Sequence, residues 1–578
     1  MSLKKHLIID RLLLHIEKFF YNYINSESED EQEKKIVLLL RDYKEKSTSG
    51  LPEARNVIKA HIKNLLLTGF NIYLEDMDLN LTDICLFEEV KINEENKLID
   101  HILPFDEPEK LTSREKFEIT LYLNREIGGD GRDGAFKNLI ARYGIYEKIR
   151  KTECYESLVY EYDNEDIELI YSREVRKLNF ADKLEIVTQI IYEELFGLKH
   201  IDILAYSDIN EVGFSNDGRY IYCWCRKKIW LNFMALDEND ARVVQDRAIS
   251  FGKHSPQLDV SNPEILCHRG DGARITVTQK PYFSSRNLCI RIFNQSTSGF
   301  LDLITLEKLR ALIIALVKSG ESICLQGSLG SGKTTTMNVM YELLDDYLHI
   351  GTVEDYFEQH IMDKYPGKRI VEGQSINGKE LLDVVKTMLR MSVDVANIGE
   401  VRDGNALFSF IQLVQSVSVA AWFTTHITNP ETTVPRLKNM LTGTGRYFSE
   451  QSAVMDIIHY INMIFQHEII DGQIMISRIV EIVPLAAAFS ELDYRNETDI
   501  EKLQRLYYIQ QIQSNPSNMF RLKTIMEVKE GSMRFVNYPS ARMIEKSKKS
   551  NMAWKYVSRL LKMIEEDTDM DIPEYARE

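Results

Sequence analysis

Two spacings of apolar residues alternate along this chain, and each change between them predicts a structural boundary. Phe180 to Phe196 repeat apolar positions at helical spacing, and Gly197 follows as a helix stop. Farther on, Arg274 to Thr278 and Asn287 to Phe293 alternate as half-buried strands do. Asp217-Gly218-Arg219 is a hairpin-turn signal between β-prone runs. The pattern therefore predicts a helical segment followed by a small α/β domain.

Beyond the polar linker Gln295 to Gly299, short strands and helices alternate, which predicts a parallel sheet. The last predicted strands are His459 to Phe465 and Met475 to Val483, and the chain after Pro484 predicts helices. Near the start, Asp10 to Ile24 predicts an amphipathic helix. We therefore expect five parts: a variable, helical or mixed region at 1–115, a helical region at 116–199, a small α/β domain at 200–295, a second α/β domain at 296–490 and a helical appendage at 491–578.

The composition is that of a globular protein, with 578 residues, 44% of them hydrophobic and 28% charged. The formal net charge of −17 argues against a large nucleic-acid-binding face and against unaided adsorption to anionic lipid. The seven cysteines are scattered without a C-x-x-C pair, which favours reduced thiols over a zinc site. Because the sequence shows neither a signal peptide nor a long apolar stretch, we expect a cytoplasmic protein.

The most informative segment carries the pattern G-x-x-x-x-G-K-[ST] of a phosphate-binding loop, with a β-prone run before it and a helix-compatible run after it. Its glycines let consecutive N–H groups turn toward phosphate oxygens, and the helix N-terminus adds partial positive charge. Lys333 is placed to reach the β- and γ-phosphates of ATP, and Thr334 is placed to hold Mg²⁺. The candidate ATP-binding residues are Gly327, Ser328, Leu329, Gly330, Ser331, Gly332, Lys333, Thr334 and Thr335.

Three later clusters follow apolar runs, as expected for side chains at the carboxyl ends of strands. Glu354 is a candidate catalytic residue that either holds Mg²⁺ or orients a water molecule. Glu400 is a candidate to polarise the attacking water or to complete the Mg²⁺ shell. His426 either senses the γ-phosphate or bridges to Glu400. The alternative explanations are a solvated turn, a structural ion pair and a structural histidine.

In this order, the clusters resemble those of the type II/type IV secretion and pilus-assembly ATPases, most closely the tight-adherence-pilus and conjugation-type enzymes. Thr352 to Asp355 is similar to the family's Asp box, Gly399 to Arg402 to its Walker B segment, and Thr424 to His426 to its T-x-H segment. The resemblance implies a RecA-like domain at 296–490, preceded by a small PAS-like domain at 200–295. It also implies that Arg274 and Arg291 of the small domain are catalytic residues that reach the phosphates.

The resemblance further implies a homo-hexameric ring that hydrolyses ATP to power secretion, pilus assembly or conjugative transfer. A polytopic membrane platform protein would recruit this ring to the membrane, because the chain itself is expected to have no membrane span. Two departures from the family pattern leave an alternative open, an ATP-binding assembly or regulatory subunit with little turnover. The family's G-H-x-G reads Val417-Ser418-Val419-Ala420, and its Arg-Pro pair reads Ser392-Val393. A P-loop kinase or a nucleic-acid motor is a third class, and the motor would need a basic face that we do not expect.

Overall fold

The computed structural model divides the chain into two compact units, Met1–Asn294 and Gln295–Glu578. The predicted helix Asp10 to Ile24 lies outside the described residues apart from Glu17, and so does the predicted linker Gln295 to Gly299 apart from Gly299. In the parts described, no helix combines the length and the apolar character needed to cross a bilayer. The structure describes residues 17, 42–44, 46–47, 51–68, 70–71, 89–90, 98–126, 133–151, 155–174, 177–225, 227–250, 257–292, 299–375, 379–470, 473–485, 498–504, 506–507, 515–529, 531–568 and 570–577.

Three helices of the first unit begin at polar residues whose side chains accept hydrogen bonds from free backbone N–H groups. Thr112 with Glu115, and Asn179 with Asp182, form reciprocal capping boxes at the starts of two of these helices. The predicted helix that begins at Phe180 is confirmed as α6. The helices are α1 (Pro52–Thr68), α2 (Leu98–Ile102), α3 (Ser113–Leu123), α4 (Ala135–Tyr143), α5 (Asn164–Glu174), α6 (Phe180–Leu195), α7 (Asp202–Ala205) and α8 (Glu238–Ala248).

The sheet of the first unit has eight strands in the order β3-β4-β7-β6-β5-β10-β9-β8, and only the β4/β7 pair is parallel among them. Strands β5 and β6 pair across a turn in which Asn216, Asp217 and Gly218 all have positive φ, which confirms the predicted hairpin. The strands are β1 (Phe70–Asn71), β2 (Glu89–Val90), β3 (Glu147–Lys151), β4 (Glu156–Tyr162), β5 (Glu211–Ser215), β6 (Tyr220–Cys225), β7 (Lys227–Leu231), β8 (Glu264–His268), β9 (Arg274–Thr278) and β10 (Asn287–Arg291).

The prediction of a purely helical region at 116–199 was wrong, because β3 and β4 lie within it. Polar residues dominate β3, so its period-two pattern is weak, and only its pairing with β4 defines it as a strand. The predicted strands at Arg274 and Asn287 are confirmed as β9 and β10. Their alternate residues Ile275, Val277, Leu288 and Ile290 are buried in one core, which leaves the intervening residues on the opposite face.

The second unit alternates strands and helices around a sheet of nine strands, in the order β13-β12-β14-β15-β11-β16-β17-β18-β19. Its strands are β11 (Ile323–Gly327), β12 (His349–Glu354), β13 (Arg369–Gln374), β14 (Val395–Ile398), β15 (Ala420–Thr425), β16 (Met463–Ile470), β17 (Gln473–Pro484), β18 (Phe520–Lys529) and β19 (Ser532–Phe535). Its helices are α9 (Phe300–Leu303), α10 (Glu307–Lys318), α11 (Lys333–Met340), α12 (Ile361–Lys364), α13 (Leu381–Met388), α14 (Gly404–Val414), α15 (Thr433–Gly443), α16 (Glu450–Tyr460), α17 (Ala541–Lys548) and α18 (Asn551–Thr568).

Strands β11 to β16 run parallel, and the phosphate-loop strand β11 lies between β15 and β16. These strands read as nearly continuous apolar runs because helices cover both faces of the sheet. The predicted α/β fold class is confirmed: the second unit has a parallel-containing sheet, with the phosphate loop after its strand β11.

Two predictions for the second unit were wrong. His459 lies near the end of helix α16 and not in a strand, because Ser449 caps this helix and Ala453, Val454, Ile457 and Ile458 bury one helical face. The region 491–578 is not a purely helical appendage, since β18 and β19 extend the sheet beyond β17 by antiparallel pairing. The carboxylate of Glu481, fully buried on β17, accepts hydrogen bonds from the backbone and the side chain of Ser540.

The role of α18 in the core of the second unit can be tested at two adjacent residues. Leu560 is fully buried, whereas the side chain of Arg559 is 72% exposed. We expect Leu560→Ala to lower the free energy of unfolding by about 2–5 kcal/mol, because the cavity cannot close completely. Arg559→Ala is the matched control and should change it by less than about 0.5 kcal/mol. Urea unfolding measures both, and equal stabilities of the two variants would show that α18 is not part of this core.

Candidate nucleotide-binding site

The phosphate loop joins the end of β11 to the start of α11, and its backbone requires glycine. Gly327 and Gly330 have φ values of 151° and 73°, which other residues rarely adopt. A Cβ atom at Gly327 would also lie 2.3 Å from the carbonyl oxygen of His467 on the neighbouring strand. The loop therefore approaches β16 closely. It lies between a strand and a helix, as predicted, so the helix N-terminus can face a bound phosphate.

Lys333 is the first residue of α11, and its side chain turns back over the loop. The ammonium donates to the carbonyl oxygens of Gly327 and Ser328, at 3.1 and 2.8 Å, and its Nζ lies 3.3 Å from Nδ1 of His426. Burial lowers the pKa of Lys333 to about 8, and the charge of Glu400 only partly opposes this shift. A phosphate bound in the loop would place a negative charge beside the buried ammonium of Lys333.

His426 joins Lys333 to Glu400. Its Nε2 lies 2.9 Å from one carboxylate oxygen of Glu400, and Arg402 donates to the other oxygen at 2.9 Å. With the proton on Nε2, His426 donates to Glu400 and accepts from Lys333, so every contact has a donor and an acceptor. Burial alone would raise the pKa of Glu400, but the hydrogen bonds from His426 and Arg402 hold it well below its ordinary value. Of the two roles predicted for His426, the contact with Glu400 is present in the structure, and the contact with a γ-phosphate stays a prediction.

Glu354, the last residue of β12, has the opposite electrostatic environment. Its side chain is buried, and one carboxylate oxygen accepts hydrogen bonds from the backbone N–H groups of Glu358 and Gln359, at 3.2 and 3.3 Å. Burial raises the pKa of Glu354 to about 8, because these backbone hydrogen bonds do not offset the loss of hydration. A Cβ atom at Gly399 would lie 2.8 Å from Glu354 Oε1, so the Gly of the Gly399-Glu400 segment leaves room for this carboxylate.

One cleft brings together all three predicted Mg²⁺ ligands, which are Thr334, Glu354 and Glu400. Asp355, Glu358 and Arg402 also line this cleft. Among the described residues, no three His, Cys, Asp or Glu side chains form a metal cage. Mg²⁺ usually binds through one or two carboxylates together with substrate phosphates and water. A hydroxyl and two carboxylates beside a phosphate loop therefore fit a Mg²⁺ ion that arrives with a nucleotide.

A buried hydrogen-bonded network behind the cleft has only a faint signature in the sequence. Asn397 accepts a hydrogen bond from the backbone N–H of Trp422 at 2.7 Å and donates to the hydroxyl of Tyr341 at 3.1 Å. Tyr341 then donates to Gln359 at 3.0 Å, and the N–H of Gln359 contacts Glu354. The network joins the end of the phosphate-loop helix to the buried acid. A polar Asn inside an apolar strand was its only sequence signal.

The two predicted arginines belong to the first unit. Arg274 on β9 and Arg291 on β10 are directly opposite each other, so their side chains leave the sheet on the same face. Arg291 also pairs with Glu211 of β5, at 3.5 Å between Nη2 and Oε2. Like charges that are directly opposite on a sheet repel each other, so a bound anion would stabilise this pair of arginines. Their contact with phosphate remains a prediction.

Comparisons with known proteins agree with this geometry. Residues 265–473 match the family described as type II/IV secretion system protein. The chain is 33% identical over 172 residues to a competence protein ComGA of Halalkalibacterium halodurans, which covers 29% of this chain and 47% of that protein. It is 27% identical over 291 residues to an uncharacterized protein of Bacillus anthracis, covering 49% of this chain and 65% of that one. The chain thus spans about half to two thirds of the length of these relatives.

Among solved structures, the ATPase DotB of Legionella pneumophila is similar, with a TM-score of 0.37 and 14% identity, covering 62% of this chain and 85% of that one. The site and the matched segment together define the class, a P-loop NTPase. Residues 265–473 thus resemble the type II/IV secretion system protein family, which agrees with the resemblance seen in the sequence.

The environment of Glu354 gives a testable pH dependence. Because the pKa is raised from 4.5 to about 8, the folded nucleotide-free chain holds a proton that the unfolded chain releases. The stability that this proton confers is present below pH 4.5 and is lost as the pH rises through 8. Glu354→Gln lacks the buried charge, so its stability relative to the parent should rise by on the order of a few kcal/mol over this range.

Denaturant unfolding at pH 5, 7 and 9, without nucleotide or metal, measures this difference. The exposed residue Glu545 provides the matched control, because Glu545→Gln removes the same charge from a solvated position. A relative stability of Glu354→Gln that stays constant with pH would show that Glu354 is ionised in the fold at no cost.

Proposed function

We propose that this chain is an ATPase that powers a membrane-embedded secretion, pilus-assembly or conjugation machine. The observation that carries the proposal is the single cleft in which Thr334, Glu354 and Glu400 meet beside an intact phosphate loop. The match of residues 265–473 to the secretion family supports the cellular role. The substrates are ATP and water, and the cofactor is Mg²⁺.

The residues of the cleft divide the work by their environments. The loop amides and Lys333 bind the phosphates, and Thr334 with a carboxylate holds the Mg²⁺, which neutralises phosphate charge when bound. Glu354, whose pKa is raised by burial, is the stronger base of the two carboxylates, and it accepts the proton of the attacking water in its ionised form. Glu400, held ionised by His426 and Arg402, orients His426 and keeps the cleft negative. Two carboxylates with pKa values shifted in opposite directions suit these two roles.

The assembly belongs to the same proposal. A homo-hexamer would place Arg274 and Arg291 of the small domain, at about 200–295, near phosphates held by the RecA-like domain, at about 296–490. We further propose that the ring works in the cytoplasm and that a polytopic platform protein recruits it to the membrane. The competence protein and the ATPase DotB are relatives whose names fit such machines.

The second candidate function is an ATP-binding regulatory subunit with little turnover, based on the altered G-H-x-G and Arg-Pro positions. Ser418 and Ser392 both precede the strands whose far ends reach the cleft. Since strands of four and six residues span about 13 and 20 Å, these positions lie at the opposite edge of the sheet. Ser418 donates to Asp394 at 2.9 Å, so it also has a structural role there. Glu400, His426 and Lys333 are all in place, which favours turnover.

Hydrolysis by the purified protein tests the proposal. We expect Glu400→Gln to bind Mg²⁺-ATP normally and to lose turnover by at least about 100-fold, because the amide cannot hold the charge that fixes His426. Lys333→Ala is the binding-defective comparison, with an affinity lower by about 10- to 100-fold because a charge-assisted contact is lost.

Fluorescent-nucleotide titration and steady-state phosphate release separate the two effects. A parent protein that binds ATP tightly and shows no turnover in any assembly state would support the regulatory subunit. Equal affinities of Lys333→Ala and the parent would reject the assignment of the phosphate loop.

The arginine pair gives an independent prediction. Arg274→Ala and Arg291→Ala should each lower turnover by more than about 10-fold while changing ATP affinity by less than about threefold, since such residues act mainly on developing charge. Arg242→Ala, an exposed arginine of the same unit, is the control. Turnover that is unchanged in both variants would leave the pair a structural role beside Glu211.

A further inference from the structure

Helix α17 and the first part of α18 carry a concentration of positive charge that is opposite to the charge of the chain. Between Ala541 and Met563 the sequence has seven Lys and Arg residues and one acidic residue, Glu545, and the acidic residues Glu565, Glu566 and Asp567 follow at the end of α18. The formal charge of the whole chain is −17. This region lies outside residues 265–473, so nothing in the family match explains it. The basic residues are Arg542, Lys546, Lys548, Lys549, Lys555, Arg559 and Lys562.

Two of these cations serve the fold. Arg542 donates to the carbonyl oxygen of Ile482 at 3.0 Å, and Lys546 donates to that of Gly320 at 2.6 Å. The other five are exposed, and we call them the basic face: Lys548, Lys549, Lys555, Arg559 and Lys562.

Helix α18 fixes the direction of the basic face. Ala553, Val557, Leu560, Leu561 and Ile564 are buried against the core of the unit. Lys555, Arg559 and Lys562 are spaced at i, i+4 and i+7, so they form a row on the side of the helix that faces solvent. Met552 begins this row one turn earlier, and 51% of it is exposed. The rigid helix thus presents an aligned row of cations beside an exposed thioether.

The row ends at the exposed Glu566, four residues after Lys562 on the same side of α18, and its other cations have few partners among the described residues. Neither Lys549 nor Lys562 makes a side-chain hydrogen bond or ion pair with any residue that the structure describes. Arg559 reaches Glu307 at 3.7 Å, but both side chains are more than 70% exposed, and such a pair contributes little. Lys548 donates to the carbonyl oxygen of Arg577 at 2.9 Å, which is a neutral acceptor.

The net charge of the chain does not cancel this local field. At physiological ionic strength, charges separated by more than about 8 Å are largely screened in solvent. An approaching surface therefore meets the basic face and not the average charge of the molecule. The sequence argument against adsorption to anionic lipid, which used the net charge, does not apply to this surface.

We propose that the basic face binds the anionic phospholipid surface of a bilayer. Charge complementarity selects an anionic partner, and a cluster of four to eight Lys and Arg on an amphipathic helix suits acidic headgroups. Met552 favours lipid over a nucleic acid, because an exposed thioether enters the boundary between headgroups and acyl chains and has no partner on a phosphodiester backbone. Trp554 is half-buried against the core, with Lys548 Nζ 5.0 Å from its ring. The proposed lipid binding does not depend on the proposed ATP turnover.

Vesicle co-sedimentation of the purified full chain tests the proposal. We expect binding to vesicles of phosphatidylglycerol and phosphatidylcholine, none to phosphatidylcholine alone, and release at 0.5 M salt, where the screening length is about 4 Å. The variant Lys549→Glu/Lys555→Glu/Arg559→Glu/Lys562→Glu should bind at least about 100-fold more weakly, since each cation near such a surface contributes about fivefold.

The matched control reverses the same number of charges elsewhere, in Lys137→Glu/Lys151→Glu/Lys386→Glu/Lys529→Glu, all of which are more than half exposed. It should bind vesicles as the parent does, apart from the small effect of net charge. Equal loss in both variants would overturn the proposal, because the effect would then not come from this face.

Two further outcomes would also overturn it. Binding to a short duplex DNA or a single strand that depends on the basic face, without binding to vesicles, would assign the face to nucleic acid. If the protein binds neither vesicles nor DNA, the basic face does not bind an anionic surface. A change of oligomeric state in the four-residue variant would then assign the basic face to contact with a second copy of the chain. Met552→Ser should weaken vesicle binding by about fivefold and leave any DNA binding unchanged.

Discussion

The candidate site depends on one geometric constraint, the shared direction of the strands β12, β14, β15 and β11. Because neighbouring strands of this group pair in parallel, their carboxyl ends all lie at one edge of the sheet. Glu354, Glu400, His426 and the phosphate loop follow these four ends and are therefore neighbours in space, although they span about a hundred residues of sequence. Reversing any one strand would remove its residue from the cleft.

Within this edge, hydration and hydrogen bonding decide what each carboxylate does. Glu400 has two cationic or proton-donating partners and stays ionised, whereas the hydrogen bonds to Glu354 do not offset its burial, and it resists ionisation. Gly399 stands between them, and any side chain there would collide with Glu354. The network through Gln359, Tyr341 and Asn397 fixes the loop that carries the buried acid. The different pKa values of the two glutamates thus arise from their surroundings and not from residue type.

The sequence predicted those features that depend on local pattern. The loop Gly327 to Thr334 has fixed residue types, and β9 and β10 alternate cleanly, so both were found. Features that depend on long-range pairing were missed. Strands β18 and β19 are defined by pairing with β17, and β3 is defined by pairing with β4. The role of Tyr341 was also invisible, because its hydroxyl meets partners 18 and 56 residues away.

The C-terminal helix connects the core with the surface of the second unit. The buried side of α18 belongs to the same hydrophobic cluster as Leu325 of the phosphate-loop strand, and Leu560 is fully buried there. A closely packed helix cannot move far without losing those contacts. Allosteric coupling requires an element with two discrete arrangements, whereas the buried side of α18 holds the helix in one arrangement. A surface on such a helix is suited to anchor the nucleotide-binding unit and not to switch it, so the basic face would set where the unit acts while the cleft sets its chemistry.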